Sequence, residues 1–299
     1  MVNDQAGGLR KQREEERRAG IIKPVEEAHG GIRITITSGK GGVGKSNFAL
    51  NTAIALAGLG KRVLLVDADT NLANLDLLLG LTPRYNLADV VTGGKTMSEI
   101  IIAGPGGINI LPGASGDIFM LGLDDEVENH LVESFAELEL NHDVIIIDTG
   151  AGLSRQIVTY AAAADEVVIV TSPEPTARAD AYAMVKIISQ ARPTVPIHLL
   201  VNMVKSAEEG MDVFDGLNLV VQTFLKFSIK FLGHLPFDPN VMAAVASQKP
   251  LMLEHPRSAA AVAIRMTAHK LLRGVSNQTS AERDSMFARV ISQRRKADV

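Results

Sequence analysis

The sequence predicts an α/β fold, a doubly wound and mainly parallel sheet with helices on both faces, and three observations predict it. Short β-branched runs alternate with helical patterns along most of the chain. The octapeptide Gly39-Lys40-Gly41-Gly42-Val43-Gly44-Lys45-Ser46 satisfies G-x-x-x-x-G-K-[ST] between a strand pattern and a helix pattern. Two further apolar runs end in Asp67-Ala68-Asp69 and Asp148-Thr149-Gly150, where an open parallel sheet presents its ligand-binding edge.

Residues 1–30 are polar, with a mixed-charge run from Lys11 to Arg18, Pro24 and a Gly30-Gly31 junction, and read as a tail and linker. Ile32 to Thr37 alternates and is β-branched, as a strand entering a sheet would be, and Asn47 to Ala57 reads as helix. Strand-like runs recur at Arg62 to Val66, Ile108 to Leu111, Val144 to Ile147, Val167 to Thr171, Ile197 to Val201 and Ile229 to Leu235. Between them, Glu126 to Leu140, Ser154 to Ala164, Thr176 to Ala191 and Ser206 to Lys226 read as helices. The last is expected to break around Gly210 and Gly216, because glycine weakens a helix interior. Such alternation means βαβ units in one α/β domain spanning residues 31–275. A final segment, 281–299, is set apart by Gly274-Val275-Ser276-Asn277.

The octapeptide carries a specific chemistry. Its glycines allow backbone N–H groups to turn inward around phosphate oxygens, and the helix N-terminus adds partial positive charge. Lys45 can reach β- and γ-phosphates and Ser46 can ligate Mg²⁺, so ATP and Mg²⁺ are the expected ligands. Gly39, Lys40, Gly41, Gly42, Val43, Gly44, Lys45, Ser46 and Asn47 are the candidate contacts. A carboxylate ending a buried strand beside bound phosphate can hold the metal or orient a water, and it can also simply cap a turn. Three such aspartates following a phosphate loop weigh against coincidence.

The chain has 30 basic and 34 acidic residues, so it has no global attraction for nucleic acid. It has no cysteine, which excludes disulfides and any iron–sulfur cluster held by thiolates. No apolar stretch is long enough to span a bilayer, and the charged first twenty residues do not form a signal sequence. The expectation is a cytosolic or membrane-peripheral protein.

Lys40, at the second position of the loop, makes the run Lys-Gly-Gly-Val-Gly-Lys-Ser resemble the deviant Walker A motif of the MinD/ParA class of ATPases. That resemblance implies that Lys40 crosses a homodimer interface to the other subunit's nucleotide. The segments from Asp67 to Asp76 and from Asp148 to Gly152 resemble the two switches of the class. By position, Asp69 aligns the hydrolytic water, Asp67 and Asp148 support the metal beside Ser46, and Gly150 and Gly152 let the second switch move. Asn71 stands where relatives often carry glycine, and asparagine tolerates the left-handed backbone nearly as well. Asn202 matches the adenine-contacting asparagine, and the segment from Pro236 to Asp238 a second base-edge contact, although Asn202 taken alone reads as a turn residue.

Within that class the chain resembles the FlhG (FleN) family, which controls flagellar number and placement. Asp4-Gln5-Ala6-Gly7-Gly8-Leu9-Arg10 reproduces the family's D-Q-A-x-x-L-R signature, and Pro173-Glu174-Pro175-Thr176-Ala177, Asp180-Ala181-Tyr182, Lys186 and Val201-Asn202-Met203-Val204 also read as this family. The resemblance implies that Asp4, Gln5, Leu9 and Arg10 engage the signal-recognition-particle-type GTPase FlhF, and that flagellar basal-body or C-ring components are further partners. Without it, a peptide containing Gly7 and Gly8 reads as an unstructured tail that can order only on binding.

At 100° per residue, Met286, Phe287, Val290 and Ile291 fall on one stripe, with Arg289, Arg295 and Lys296 beside or opposite it. Pattern alone favours a helix packing on its own domain, since four apolar residues bury little area. The family resemblance implies instead a membrane-targeting helix on the inner face of the cytoplasmic membrane. Two readings compete with a regulatory ATPase. A DNA-partition ATPase needs a basic path for phosphates, which is not evident. The other is a kinase or ligase using the same loop for metabolism; the tyrosine kinases of the superfamily carry a C-terminal tyrosine cluster, whereas the tyrosines here are Tyr85, Tyr160 and Tyr182.

Overall fold

A computed structural model describes residues 31–69, 74–113, 125–275 and 285–297. Asp4, Gln5, Leu9, Arg10 and Asn71, to which the sequence assigns roles, therefore lie outside the described residues. Among the described residues, eight strands form one sheet: β1 (Ile32–Ser38), β2 (Val63–Ala68), β3 (Ile102–Ala103), β4 (Asn109–Leu111), β5 (Val144–Ala151), β6 (Glu166–Thr171), β7 (Ile197–Val204) and β8 (Lys230–Pro236). Their order is β3-β4-β2-β5-β1-β6-β7-β8, and only the β3–β4 pair is antiparallel. The helices in chain order are α1 (Lys45–Ala57), α2 (Asn74–Leu79), α3 (Leu87–Val91), α4 (Met97–Ile100), α5 (Asp125–Asn141), α6 (Arg155–Ala163), α7 (Pro175–Ala191), α8 (Ala207–Leu225), α9 (Pro239–Ala246), α10 (Leu251–Glu254), α11 (Ala259–Val275) and α12 (Met286–Ala297).

The strands are apolar on both sides because both sides are covered, as in a parallel sheet flanked by helices. Successive side chains alternate faces. Val63 and Leu65 join Val144, Ile146, Phe48, Leu50, Ile264 and Leu271 in one core under α1 and α11. Leu64 and Val66 join Ile145, Ile147, Tyr160, Met184, Val213 and Phe287 in the other, under α5 to α8 and α12.

Two expectations need correction. The helix expected to break at Gly210 and Gly216 is continuous from Ala207 to Leu225. Gly210 is an element of close packing instead: a Cβ there would lie 2.7 Å from the His234 Cβ on β8. The helix α11 also has no counterpart among the helices expected from the sequence, although it fills a large part of one face.

The segment containing Met286, Phe287, Val290 and Ile291 is helical and lies against the domain. Met286, Phe287 and Val290 are buried, Ile291 is partly so, and the Phe287 ring stacks on Phe135 of α5 at 4.2 Å. Glu139 accepts bonds from the Met286 N–H at 2.7 Å and the Ser285 hydroxyl at 3.2 Å, capping the helix. Arg33 bridges Glu139 to Asp165 at 3.3 and 2.8 Å, and Arg289 returns from α12 to Asp165 at 3.1 Å. The arrangement inferred from pattern alone is the one the structure contains. Among the described residues, no helix is long and apolar enough to cross a membrane.

Candidate nucleotide site

The chain passes from β1 to β2 on one side and from β5 past β1 to β6 on the other, so β1 marks the switch point of the sheet. Ligands in such sheets lie outside the carboxyl ends of the strands at that point. Residues 39–44 emerge there, between the end of β1 at Ser38 and the start of α1 at Lys45. Gly44 is the N-cap of α1 with φ 86°, a conformation that favours glycine. Gly41 and Gly42 face open space, leaving a cradle bordered by backbone.

Sheet register brings the aspartates together. Asp67 on β2 pairs with Asp148 on β5, and Asp148 also pairs with Ile36 on β1. Both aspartates are buried, and Asp69 lies beside Gly150. Lys45, itself buried, donates to Asp148 Oδ1 at 2.7 Å and to Ser46 Oγ at 3.0 Å. Asp148 Oδ2 is buried and has no hydrogen-bond partner. Lys45 therefore meets Asp148 within a group of three carboxylates, and this hard-oxygen set fits Mg²⁺, which takes one or two protein carboxylates and completes its shell with water and phosphate.

Electrostatics carries the same signature. Burial, then the Asp148 charge, pushes Asp67 up to about 7, while the N–H groups of Asp69 and Leu75 oppose the rise. Burial also raises Asp148 against the pull of Lys45. A carboxyl raised in the folded state contributes stability fully below its unfolded pKa of about 3.9, and that contribution is lost as pH rises through the folded value. Stability of the nucleotide-free protein should therefore fall between about pH 4 and 7 through this group, and Asp67→Asn should flatten that slope. Thermal melts across pH decide it: parallel profiles for the two proteins would remove the assignment.

The remaining expected contacts are placed as follows. Asn202, after the central part of β7, donates from Nδ2 to the Val43 carbonyl at 2.8 Å and accepts from the Met203 N–H at 2.8 Å. Its amide thus braces the phosphate loop, with one N–H and one lone pair still to offer. Pro236 ends β8 at the same edge. Asp238 is buried, and its oxygens accept from the N–H groups of Asn240 and Ala260, each at 3.0 Å, holding α9 and α11 in place. It thereby fixes the segment from Pro236 to Asp238 through the fold. Asn47 accepts from Asn51 Nδ2, whose own oxygen receives the Met252 N–H, tying α1 to α10.

Lys40 is turned toward its own chain, donating to Glu174 at 2.5 Å and to Thr176 at 2.8 Å. The roles of these two residues were not read from the sequence. Their signal was available: they follow directly on β6, at the edge where polar residues after an apolar run attend the ligand.

Residues 34–251 match the CobQ/CobB/MinD/ParA nucleotide binding domain family. The antiactivator FleN of Pseudomonas aeruginosa is 41% identical over 252 residues, 84% of this chain and 88% of FleN. The flagellum site-determining protein YlxH of Helicobacter pylori is 35% identical over 220 residues, 73% of this chain and 74% of YlxH. Among solved structures, the septum site-determining protein MinD of Pyrococcus horikoshii complexed with Mg-ADP aligns with a TM-score of 0.64 at 27% identity. That alignment covers 82% of this chain and 98% of that one.

Proposed function

The chain belongs to the CobQ/CobB/MinD/ParA nucleotide-binding family as a MinD-like ATPase of its FleN/FlhG branch, and from that premise we propose that it is the switch that sets flagellar number and placement. The observation that carries the ATPase part of the reading is the meeting of Lys45, Ser46, Asp67, Asp69 and Asp148 at the mouth of the phosphate loop, and the likeness to FleN and YlxH supports the flagellar part.

ATP is the substrate. The N–H groups of residues 39–46 surround its phosphates, and Lys45 exchanges part of its hold on Asp148 for the β- and γ-oxygens. Ser46, with Asp67 and Asp148 behind it, would hold Mg²⁺, which would supply charge neutralisation. Asp69 orients the attacking water. Asn202 and the Pro236–Asp238 edge confine the adenine. Lys40 acts across the interface of an ATP-dependent homodimer, so that ATP both joins two copies and times their separation.

The dimer works at the inner face of the cytoplasmic membrane, held there reversibly by α12. That role requires the helix to leave α5 and α6, because the apolar residues it would insert are the ones it now buries. Residues 1–30 serve as the activator tail, 31–275 as the ATPase domain and 281–299 as the membrane segment. Through Asp4, Gln5, Leu9 and Arg10 the tail engages FlhF, and flagellar basal-body or C-ring components read the nucleotide state. Nucleic acid is not an expected partner, given the net charge of −4.

A synthetic peptide of residues 1–20 should stimulate FlhF by itself, since a segment that folds on binding carries its determinants locally. Gln5→Ala should lower stimulation more than affinity, and Leu9→Ala should lower affinity. GTP turnover and peptide binding measured in parallel test it. No stimulation by either the peptide or the full chain would leave a MinD/ParA-type positioning ATPase without the FlhF role.

A further inference from the structure

Lys40, Glu174 and Thr176 form a closed triangle at the rim of the phosphate loop. The ammonium donates to Glu174 Oε1 and to Thr176 Oγ1, and the threonine hydroxyl donates to the same Glu174 oxygen at 2.9 Å. The fold enforces the meeting. Gly39 sits so tightly on α7 that a Cβ would lie 2.5 Å from the Asp180 carbonyl, which brings the next residue to the helix N-terminus. Glu174 occupies the N-cap position of α7, yet its side chain makes no capping bond. Its carboxylate is thus committed to the lysine and the threonine, and the lysine holds it below the usual carboxylate range.

We propose that Glu174, assisted by Thr176, is a positioning residue that holds the Lys40 ammonium in cis and thereby brakes the ATP-dependent assembly of two copies. The proposal rests on the reading that Lys40 acts in trans. An ammonium reaching a phosphate in the other copy must leave its own Glu174, so each association breaks two such pairs. Both side chains are substantially exposed, at 34% and 54%, so the pair can open without dismantling any core. Exposed pairs of this kind are weak, shifting an equilibrium by roughly 1.5- to 5-fold each. Two of them give about 2- to 25-fold, enough to set the poise of the switch without blocking it. After γ-phosphate departure, the same carboxylate recaptures the lysine and favours separation.

The experiment measures the dimer association constant by light scattering across protein concentration, with a non-hydrolysable ATP analogue and Mg²⁺. Glu174→Gln should tighten the dimer by about 2- to 25-fold at low salt and by less at high salt, where the pair is already screened. Thr176→Val should act in the same direction and more weakly. In the Lys40→Ala background, which does not dimerise, Glu174→Gln should leave the melting temperature unchanged, whereas a carboxylate that merely shapes α7 would still shift it there. An unchanged or weaker Glu174→Gln dimer, beside a wild type that dimerises and a Lys40→Ala variant that does not, overturns the brake alone. A wild type that stays monomeric, or a Lys40→Ala variant that dimerises normally, overturns the trans-lysine reading beneath it.

Discussion

Lys45→Ala is expected to abolish nucleotide binding, whereas Lys40→Ala is expected to keep most of it and lose the ATP-dependent dimer. The difference follows from where each ammonium lies. Lys45 is buried between Asp148 and Ser46 at the first turn of α1, while Lys40 stands partly exposed at the rim. Removing Lys45 also strips Asp148 of the cation it pairs with among the described residues, although its oxygen Oδ2 already lacks a partner there. Breaking a buried pair in this way costs about 3–5 kcal/mol, and protonation of Asp148 offsets part of that. Lys45→Ala should therefore melt lower as well as fail to bind, and Lys40→Ala should melt like the wild type. In Lys40→Ala, turnover should fall by about 10³- to 10⁵-fold, the effect of losing a trans-acting cation in comparable sites. Nucleotide titration, light scattering with ATP and Mg²⁺, and thermal melts separate the two lysines. Nucleotide binding by Lys45→Ala at wild-type affinity would refute the phosphate-loop assignment.

Phe287→Ala should destabilise the monomer and also end its ATP-dependent sedimentation with anionic vesicles. The ring is 3% exposed and stacks on Phe135, and emptying such a site costs about 3–5 kcal/mol, several degrees in melting temperature. Removal of residues 282–299 should be costlier still, because it uncovers Phe135 and takes Arg289 from Asp165. The same face would supply the insertion into lipid, so one substitution reports on both states of the helix. Unchanged melting would mean that α12 does not dock in solution. A lowered melt with normal sedimentation would instead remove the membrane role and leave a packing helix.

How far the sequence reached differs by element. The phosphate loop, the β1-to-α1 unit and the aspartates at the ends of β2 and β5 were legible because each is a local pattern: a period, a turn chemistry, a fixed spacing. The expected break in α8 failed because helix propensity describes an isolated segment. In the folded chain, Gly210 buys close approach to His234, which outweighs its weak preference for helix.

By itself, then, the sequence determined that a nucleotide-sized anion is met by a glycine-rich loop at the head of a helix, and which side chains stand next to it along the chain. Only the tertiary structure decided which charges meet. Asp67 neighbours Asp148 because β2 pairs with β5, and Lys40 meets Glu174, 134 residues away, because β6 lies beside β1. Likewise the stripe of Met286, Phe287 and Val290 says that one face of a helix is apolar, and the docking of α12 on α5 and α6 says what covers it. The physical reason is common to all three. Periodicity and turn chemistry act over a few residues, whereas strand order and helix docking follow from burying both faces of the whole sheet at once.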